Sequence, residues 1–219
     1  FARNFIQELK VAVQNSLTKT QPVTHIGVGE APVRQVASNR RIINEQGKVG
    51  TMRGSSSRDP FLRAQPEGLI DSMVTVISFW NQQEPLAVMS YYAVHPQSYY
   101  LTKIANPDFP GLARFYRQLE VPDALHIHFN GAGGNIAAGK YNDGSHENRE
   151  ILARRLADGM KRAWESGEKI SVAPSDLSWE VVPVRLPAAK DSLAAIEKRI
   201  HTMNPRLLTN NMGKLAWWK

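Results

Sequence analysis

The feature that most constrains the fold is an alternation of strand-like and helix-like segments along the middle of the chain. Two β-rich segments, Met73–Trp80 and Leu86–Val94, are separated by a turn at Asn81–Pro85, which predicts a β-hairpin. The second segment is nearly all apolar, which predicts a strand buried on both faces. The pattern then predicts a helix at Pro110–Leu119, a strand at Ala124–Phe129 and a helix at Glu147–Ser166. This order predicts the α/β class, with a mixed sheet and helices packed on it.

Further elements are predicted nearer the ends of the chain, and the longest helix has a definite apolar face. That face consists of Ile151, Leu152, Leu156, Met160 and Trp164. The outer elements are a helix over residues 3–17, a strand at Val23–Val28, an edge strand at Leu177–Leu186 and a helix that begins at Asp191.

The length and the absence of cysteine limit the class of protein. A chain of 219 residues can bury a core as a single domain, and the lack of cysteine excludes disulfides, thiolate zinc sites and cysteine nucleophiles. The chain begins at Phe1 without an initiator methionine and ends at Trp218-Lys219. We therefore expect residues 1–219 to be a single-domain segment of a longer protein, truncated at both ends.

Basic residues outnumber acidic ones, with 27 Lys+Arg against 20 Asp+Glu. Six arginines lie between Arg34 and Arg63, in a glycine- and serine-containing stretch with little periodicity. The pattern predicts a long basic loop over residues 34–68. Because no aromatic residues that could stack on bases alternate with these arginines, the sequence predicts no nucleic-acid partner.

The first turn that could carry chemistry follows the predicted strand Leu86–Val94. His95 comes directly after the strand and Pro96 forces a turn, so the imidazole is expected to be held on a rigid element. Such a histidine suits a metal ligand or a general base. The alternative is a histidine that only makes a hydrogen bond at the end of a strand.

The second turn, Asn130–Asn135, follows the next predicted strand and has glycine at three of four positions from Gly131 to Gly134. Successive amides of such a turn can bind a phosphate, a carboxylate or a developing oxyanion. The alternative is a tight turn that needs positive φ angles. Gly134–Lys140 also matches most of a phosphate-binding loop, although Tyr141 stands where Ser or Thr should reach magnesium. A nucleotide- or anion-binding module using Gly131–Lys140 therefore remains an alternative function.

His126 and His128 alternate with apolar residues on a predicted strand, so their side chains should share one face. This spacing can bind zinc, but a polar strand face with satisfied histidines is the favoured interpretation. No nucleophile-elbow pattern for a serine hydrolase is present.

Four stretches, in this order along the chain, resemble the neutral/alkaline non-lysosomal ceramidase family. They are Ser38-Asn39-Arg40-Arg41, Ala93-Val94-His95-Pro96-Gln97-Ser98, Asn106-Pro107-Asp108-Phe109-Pro110-Gly111-Leu112-Ala113 and Asn130-Gly131-Ala132-Gly133-Gly134-Asn135.

The resemblance implies a ceramidase N-terminal-domain-like fold and a zinc-dependent amide hydrolase. The family holds its metal with two histidines, a glutamate and a tyrosine, and His95 corresponds to the second histidine. The other ligands are expected in segments before Phe1 and after Lys219. Arg40 corresponds to an arginine near the family's active site.

The resemblance also implies roles for the residues around these stretches. The glycine turn would stabilise the oxyanion, and the residues beside the two turns would bind a small-molecule or lipid amide. The implied residues are Gly131, Gly133, Gly134 and Asn135 for catalysis, and Asn130, Ser98, Tyr99 and Asp108 for substrate binding. A periplasmic or extracellular location and peripheral contact with a membrane are also implied.

The chain departs from the family at the glycine turn. Ceramidases carry Gly-Asp-Val-Ser-Pro-Asn where this chain has Gly131-Ala132-Gly133-Gly134-Asn135, one residue shorter and without the aspartate and the serine. This departure weakens the implication of a ceramide substrate more than that of zinc chemistry, and it leaves the substrate open. A ceramidase-fold protein that binds its ligand without hydrolysing it is a further alternative.

Overall fold

The computed structural model describes residues 2–100 and 102–185, together with 198, 201 and 202. Residues up to Leu177 form one compact unit, and Ser178–Lys219 form a second. The helices are α1 (Ala2–Ser16), α2 (Pro60–Ala64), α3 (Asp108–Glu120) and α4 (His146–Ser166). The strands are β1 (His25–Pro32), β2 (Ser38–Asn39), β3 (Arg41–Ile43), β4 (Val49–Met52), β5 (Met73–Asn81), β6 (Glu84–Tyr92), β7 (Leu125–Asn130), β8 (Ile136–Ala137) and β9 (Glu168–Ser171).

A mixed five-stranded sheet in the order β7-β6-β5-β1-β9 forms the scaffold. The predicted hairpin is confirmed, since β5 and β6 pair antiparallel. Strand β7 pairs parallel to β6, and α3 makes the crossover between them. These findings confirm the predicted α/β class. Because β6 and β7 are parallel, the turns that follow them emerge at the same edge of the sheet.

The core lies between one face of this sheet and helices α3 and α4. It is built from the inward side chains of the strands and the apolar faces of the helices, among them Val74, Val76, Val88, Phe109, Leu152, Leu156 and Met160. Helix α4 lies so close to β1 that a Cβ on Gly29 would sit 2.0 Å from the carbonyl oxygen of Ala163. Ile151, which the sequence assigns to the apolar face of α4, is 41% exposed and lies outside the core.

The other face of the sheet is less covered than the sequence predicts. On β6 only alternate residues are buried, so the prediction of a strand buried on both faces is wrong. The register aligns Val28, Ile77, Met89 and Ile127 in one row across four strands. Val28 is 51% and Ile127 36% exposed, so this apolar row is only partly buried by the described residues.

Residues 34–68, predicted as a long basic loop, contain β2, β3, β4 and α2. The order arises because Arg53, which is 1% exposed, donates to the backbone carbonyls of Asn39, Leu62, Gln65 and Pro66. A buried guanidinium with four carbonyl partners ties the ends of this segment together. The prediction of a loop without regular structure is therefore wrong.

The predictions near the chain ends have mixed outcomes. Helix α1 and strand β1 form close to the expected positions, and every side chain described in α1 is exposed. Residues 177–185 are exposed and form no strand, which contradicts the predicted edge strand over its described part. The helix expected from Asp191 lies largely outside the described residues. No helix among the described residues is long and apolar enough to cross a membrane.

Candidate functional site

His95 lies at the edge of the sheet where β6 and β7 both end. Its backbone amide donates to the Ile136 carbonyl at 2.9 Å, and its Nδ1 lies 3.3 Å from the Gly133 carbonyl oxygen. Because a carbonyl can only accept, this contact requires the proton on Nδ1 and leaves the lone pair on Nε2. Nε2 has no hydrogen-bond partner among the described residues. A half-buried imidazole held in this way has the arrangement typical of a metal ligand.

The glycine turn packs directly against the backbone that leads to His95. The Gly131 amide donates to the Tyr92 carbonyl at 2.9 Å, and the Gly133 amide donates to the Gly131 carbonyl at 2.7 Å. These two amides are therefore occupied within the protein, and their part in stabilising an oxyanion stays a prediction. The amides of Gly134 and Asn135 have no hydrogen-bond partner within the described part of the chain, so they retain the capacity to donate to a ligand.

Close packing explains why two positions of this turn are glycine, whereas backbone conformation does not require glycine there. Neither Gly131, Gly133 nor Gly134 has a positive φ angle, so the predicted tight turn of that kind is not formed. A Cβ on Gly131 would sit 3.2 Å from the backbone of Ala93, and one on Gly133 would sit 2.9 Å from the carbonyl carbon of Val94. A side chain at either position would push the two turns apart.

Replacing Gly133 with alanine is expected to destabilise the protein and to displace His95. The added methyl overlaps the Val94 backbone, and overpacking of this kind typically costs about 1–3 kcal/mol. Gly134→Ala is the matched control, because a Cβ there meets nothing within 4 Å. Urea unfolding of both variants provides the measurement, and equal losses of stability in the two variants would contradict this account of the turn.

Arg40 joins the site through a cluster that the sequence alone did not identify. Its Nη2 donates to Ser55 Oγ at 2.8 Å and to Gln97 Oε1 at 2.6 Å, and Ser55 Oγ lies 2.5 Å from the same Gln97 oxygen. Arg40 Nε is buried without a hydrogen-bond partner. Gln97 lies two residues after His95, in one of the four stretches quoted from the sequence, but the sequence assigned it no role. Ser55 lies outside those stretches.

The backbone of the Ser38–Arg41 stretch pairs with the end of the glycine turn. Strands β2 and β8 pair antiparallel, and the Arg40 amide donates to the Asn135 carbonyl at 2.9 Å. Asn135 Nδ2 also donates to Asn39 Oδ1 at 2.6 Å. The Asn135 side chain is therefore engaged within the protein.

Ser98 and Asp108 hold the turn after His95, and both are buried, at 4% and 7% exposed. Asp108 accepts from the Ser98 amide and hydroxyl at 2.9 and 2.6 Å, and from the Tyr99 amide at 2.9 Å. It also accepts from the Phe109 amide at 2.8 Å. These contacts occupy both side chains, so their geometry supports a positioning role in place of the expected contact with substrate.

Tyr99 and Asn130 are more accessible than Ser98 and Asp108. The Arg149 guanidinium lies over the Tyr99 ring, with its central carbon 4.0 Å from the ring centroid. Tyr99 and Gln97 both line a cleft of about 720 Å³. Asn130, at the exposed end of β7, lines a separate cleft of about 410 Å³. These two residues retain surfaces that a ligand could contact.

A third cleft, of about 400 Å³, lies on the Asn39–Asn135 side of the site. Its walls include the apolar side chains of Ile42, Ile43 and Leu69. Asn39 and Asn135 also line this cleft, so polar and apolar surface meet on this side of the site, a composition common in small-molecule sites.

The region after the glycine turn does not have the geometry of a phosphate-binding loop. Lys140 Nζ donates to the carbonyls of Arg63 and Gln65 at 2.7 and 2.5 Å, so its ammonium holds the basic segment. Helix α4 begins only at His146, whereas a phosphate-binding loop runs directly into its helix. The geometry therefore does not support the nucleotide-binding alternative.

His126 and His128 face the same side of β7, as predicted, and lie beneath α3. His126 Nε2 lies 3.3 Å from the Val121 carbonyl, and His128 Nδ1 lies 2.9 Å from Ser90 Oγ. Within the described residues, no group of three His, Cys, Asp or Glu side chains could hold a metal. The two histidines accordingly belong to the packing of α3 on the sheet.

No protein-family model matches the sequence, and no curated protein matches it significantly. Among solved structures, the chain is similar to neutral ceramidase from Pseudomonas aeruginosa, with 18% identity and a TM-score of 0.48. A ceramidase complexed with C2 gives 17% identity and a TM-score of 0.49. Each match covers 66% of this chain but only 23% and 22% of the two ceramidase chains, so this chain spans less than a quarter of their length. Similarity at this level supports no statement about the site.

Proposed function

We propose that the chain forms part of a zinc-dependent hydrolase of amide bonds, in which His95 is a metal ligand through Nε2. The observation that supports this proposal is the convergence of four stretches that are far apart in sequence. Gly133 contacts the His95 ring, Arg40 contacts Gln97, and Asp108 holds Ser98. Convergence of four motifs at one edge of the sheet is unexpected if each were only a local turn.

The described residues fit this metal site in part. His95 offers one nitrogen donor, and the described chain holds no cluster of three potential ligands. A catalytic zinc usually has three protein ligands, so the proposed site requires ligands beyond those that the described residues supply. When bound, zinc would lower the pKa of a water molecule to about 7 and so provide hydroxide at neutral pH.

The chain's own residues have separate parts in the proposed site. The Gly133 carbonyl orients the His95 ring, and the Asp108 carboxylate holds the backbone that follows it. Arg40 brings a fixed positive charge, since Ser55 and Gln97 hold its Nη2. The amides of Gly134 and Asn135 are the donors proposed to receive the substrate carbonyl oxygen.

The proposed substrate is a small-molecule or lipid amide. The apolar walls at Ile42, Ile43 and Leu69 suit an acyl chain. The glycine turn lacks both the aspartate and the serine of the ceramidase family. This difference supports the proposal that the substrate is an N-acyl compound other than ceramide. A periplasmic or extracellular location, with peripheral contact with a membrane, accords with such a substrate and is part of the proposal.

Replacing His95 with alanine is expected to remove bound zinc and lower amide hydrolysis in the native protein by more than about 100-fold. The substitution removes a ligand itself. Mutation of a residue that only hydrogen-bonds to a metal ligand already lowers metal affinity or activity about 10- to 100-fold. Elemental analysis of zinc and turnover of a series of N-acyl amides are the measurements. His146→Ala is the control, since His146 is exposed at the start of α4. A native protein that holds no zinc, or an H95A variant that retains it, would refute the proposal.

A ligand-binding protein without hydrolytic activity is the second candidate. The specific observation in its favour is that the Gly131 and Gly133 amides are occupied within the protein. This leaves fewer donors for a tetrahedral intermediate than the sequence predicts. Saturable binding of an N-acyl amide without turnover, unchanged by zinc, would favour this candidate over the hydrolase.

A further inference from the structure

The packing of α3 on β7 contains a buried and a partly buried histidine beside two arginines. His126 is 5% exposed, and His128 Nε2 is buried with no hydrogen-bond partner. Helix α3 contributes Arg114 and Arg117 to this interface. The carboxylate of Glu120, the last residue of α3, pairs with Arg117. Of the other elements packed here, β6 contributes Ser90, and α4 contributes Met160 and Trp164, none of them charged.

The histidines and their neighbours hold α3 to the sheet at its C-terminal end. His126 Nε2 contacts the carbonyl of Val121, the residue after the last turn of α3. The His126 amide donates to Gln118 Oε1 at 3.2 Å, and Arg114 Nη1 donates to the His126 carbonyl at 3.2 Å. The same face of β7 therefore carries both the attachments of α3 and the two titratable rings.

Neither ring is suited to a second proton. A charged imidazole has two N–H donors, but among the described residues His128 has one partner, Ser90, and its buried Nε2 would donate to nothing. Burial, followed by the charge of Arg114, lowers the pKa of His128 to about 4. Burial also lowers the pKa of His126, and the charges of Arg117 and Arg114 act in the same direction while the Val121 carbonyl opposes them.

We propose that His126 and His128 form an acid-sensitive latch, whose protonation releases α3 and with it the turn that follows His95. The connection runs through Asp108, the first residue of α3, which holds the Ser98 and Tyr99 amides. Loosening of α3 therefore frees the segment next to His95. The latch is independent of the proposed hydrolysis, because it concerns how the fold responds to pH.

The direction of the effect follows from the lowered pKa values. Because the pKa of His128 is lowered to about 4, its ring is neutral in the folded protein at neutral pH. The stability that His128 contributes is complete above the unfolded histidine pKa of about 6.5 and is lost as the pH falls towards about 4. The pKa of His126 is also lowered, so its contribution changes with pH in the same direction. For His128 alone, the folding equilibrium constant should fall on the order of 100-fold across that window.

The test compares the wild-type chain with an H126Q/H128N variant by hydrogen exchange, at pH values between about 7 and about 4.5. Glutamine can replace the Nε2 contact of His126, and asparagine the Nδ1 contact of His128. After correction for intrinsic exchange, lowering the pH should reduce the protection of wild-type α3 and of the Ser98 and Tyr99 amides before it reduces that of β5. In the variant, α3 and these two amides should not lose protection before β5.

The control is His146→Gln, which should behave as the wild type because His146 is exposed. Should the double variant fail to fold, H128N alone should still weaken the pH dependence. An NMR titration of the wild-type imidazoles gives a measurement that needs no variant. Three results would each overturn the proposal. The first is that either ring titrates at or above about 6.5. The second is that the double variant keeps the pH response, and the third is that α3 and β5 are equally sensitive to acid.

Discussion

Replacing Asp108 with alanine is expected to lower the free energy of unfolding by about 3–5 kcal/mol. The carboxylate is 7% exposed and accepts from the Ser98 hydroxyl and from the amides of Ser98, Tyr99 and Phe109. Its removal leaves buried donors without acceptors, and each such donor typically costs about 1–3 kcal/mol. Since small proteins are stable by only about 5–15 kcal/mol, the variant should lie close to unfolding.

The experiment for Asp108 is urea denaturation, with Asp123→Ala as the matched control because Asp123 is an exposed aspartate. Asp108→Asn should be less damaging than the alanine variant, because its amide oxygen still accepts. It should nevertheless be less stable than wild type, because its NH₂ group faces other donors. If Asp108→Ala unfolded at the same urea concentration as Asp123→Ala, the positioning role of Asp108 would be wrong.

Replacing Arg53 with methionine is expected to lower the free energy of unfolding by about 4 kcal/mol. Methionine preserves the apolar stem but removes donors from four backbone carbonyls, those of Asn39, Leu62, Gln65 and Pro66. Arg53 is 1% exposed, so water cannot readily replace those bonds. The segment that carries Arg40 and Ser55 should loosen as a consequence.

Arg58→Met is the matched control for Arg53, since Arg58 lies in the same segment and is exposed. Arg53→Lys should rescue only part of the loss, because an ammonium cannot present the planar fork of a guanidinium to carbonyls on several sides. Limited proteolysis within residues 34–68, alongside urea denaturation, should detect the loosening. Comparable stability of the Arg53 and Arg58 methionine variants would contradict the role given to Arg53.

The sequence predicts the elements whose signal is local. The hairpin of β5 and β6, the crossover through α3 and the long helix α4 all follow from apolar periodicity and turn residues, which act over a few positions. The same local signals failed for Leu177–Leu186, whose described residues alternate in polarity but form no strand. A strand requires a partner, and its pattern alone does not supply one.

The candidate site divides in a similar way. The sequence identified His95 and the glycine turn, because a histidine after a strand and clustered glycines are unusual local patterns. It did not identify Ser55 or Gln97 as partners of Arg40, nor Arg53 as the residue that orders segment 34–68. These contacts join positions up to 57 residues apart, and no local pattern reports which of many arginines will meet which carbonyl.

The sequence by itself determined the α/β class and the two turns at which chemistry is expected, since both depend on the order of apolar and turn residues. Only the tertiary structure decided which atoms each candidate site residue contacts. It showed that Gly131 and Gly133 are glycines because two backbones approach within about van der Waals contact. It also showed that Asp108 faces inward to bind amides. Hydrogen bonds and close contacts depend on distance and direction in space, and these are fixed only when the parallel strands β6 and β7 bring their turns together.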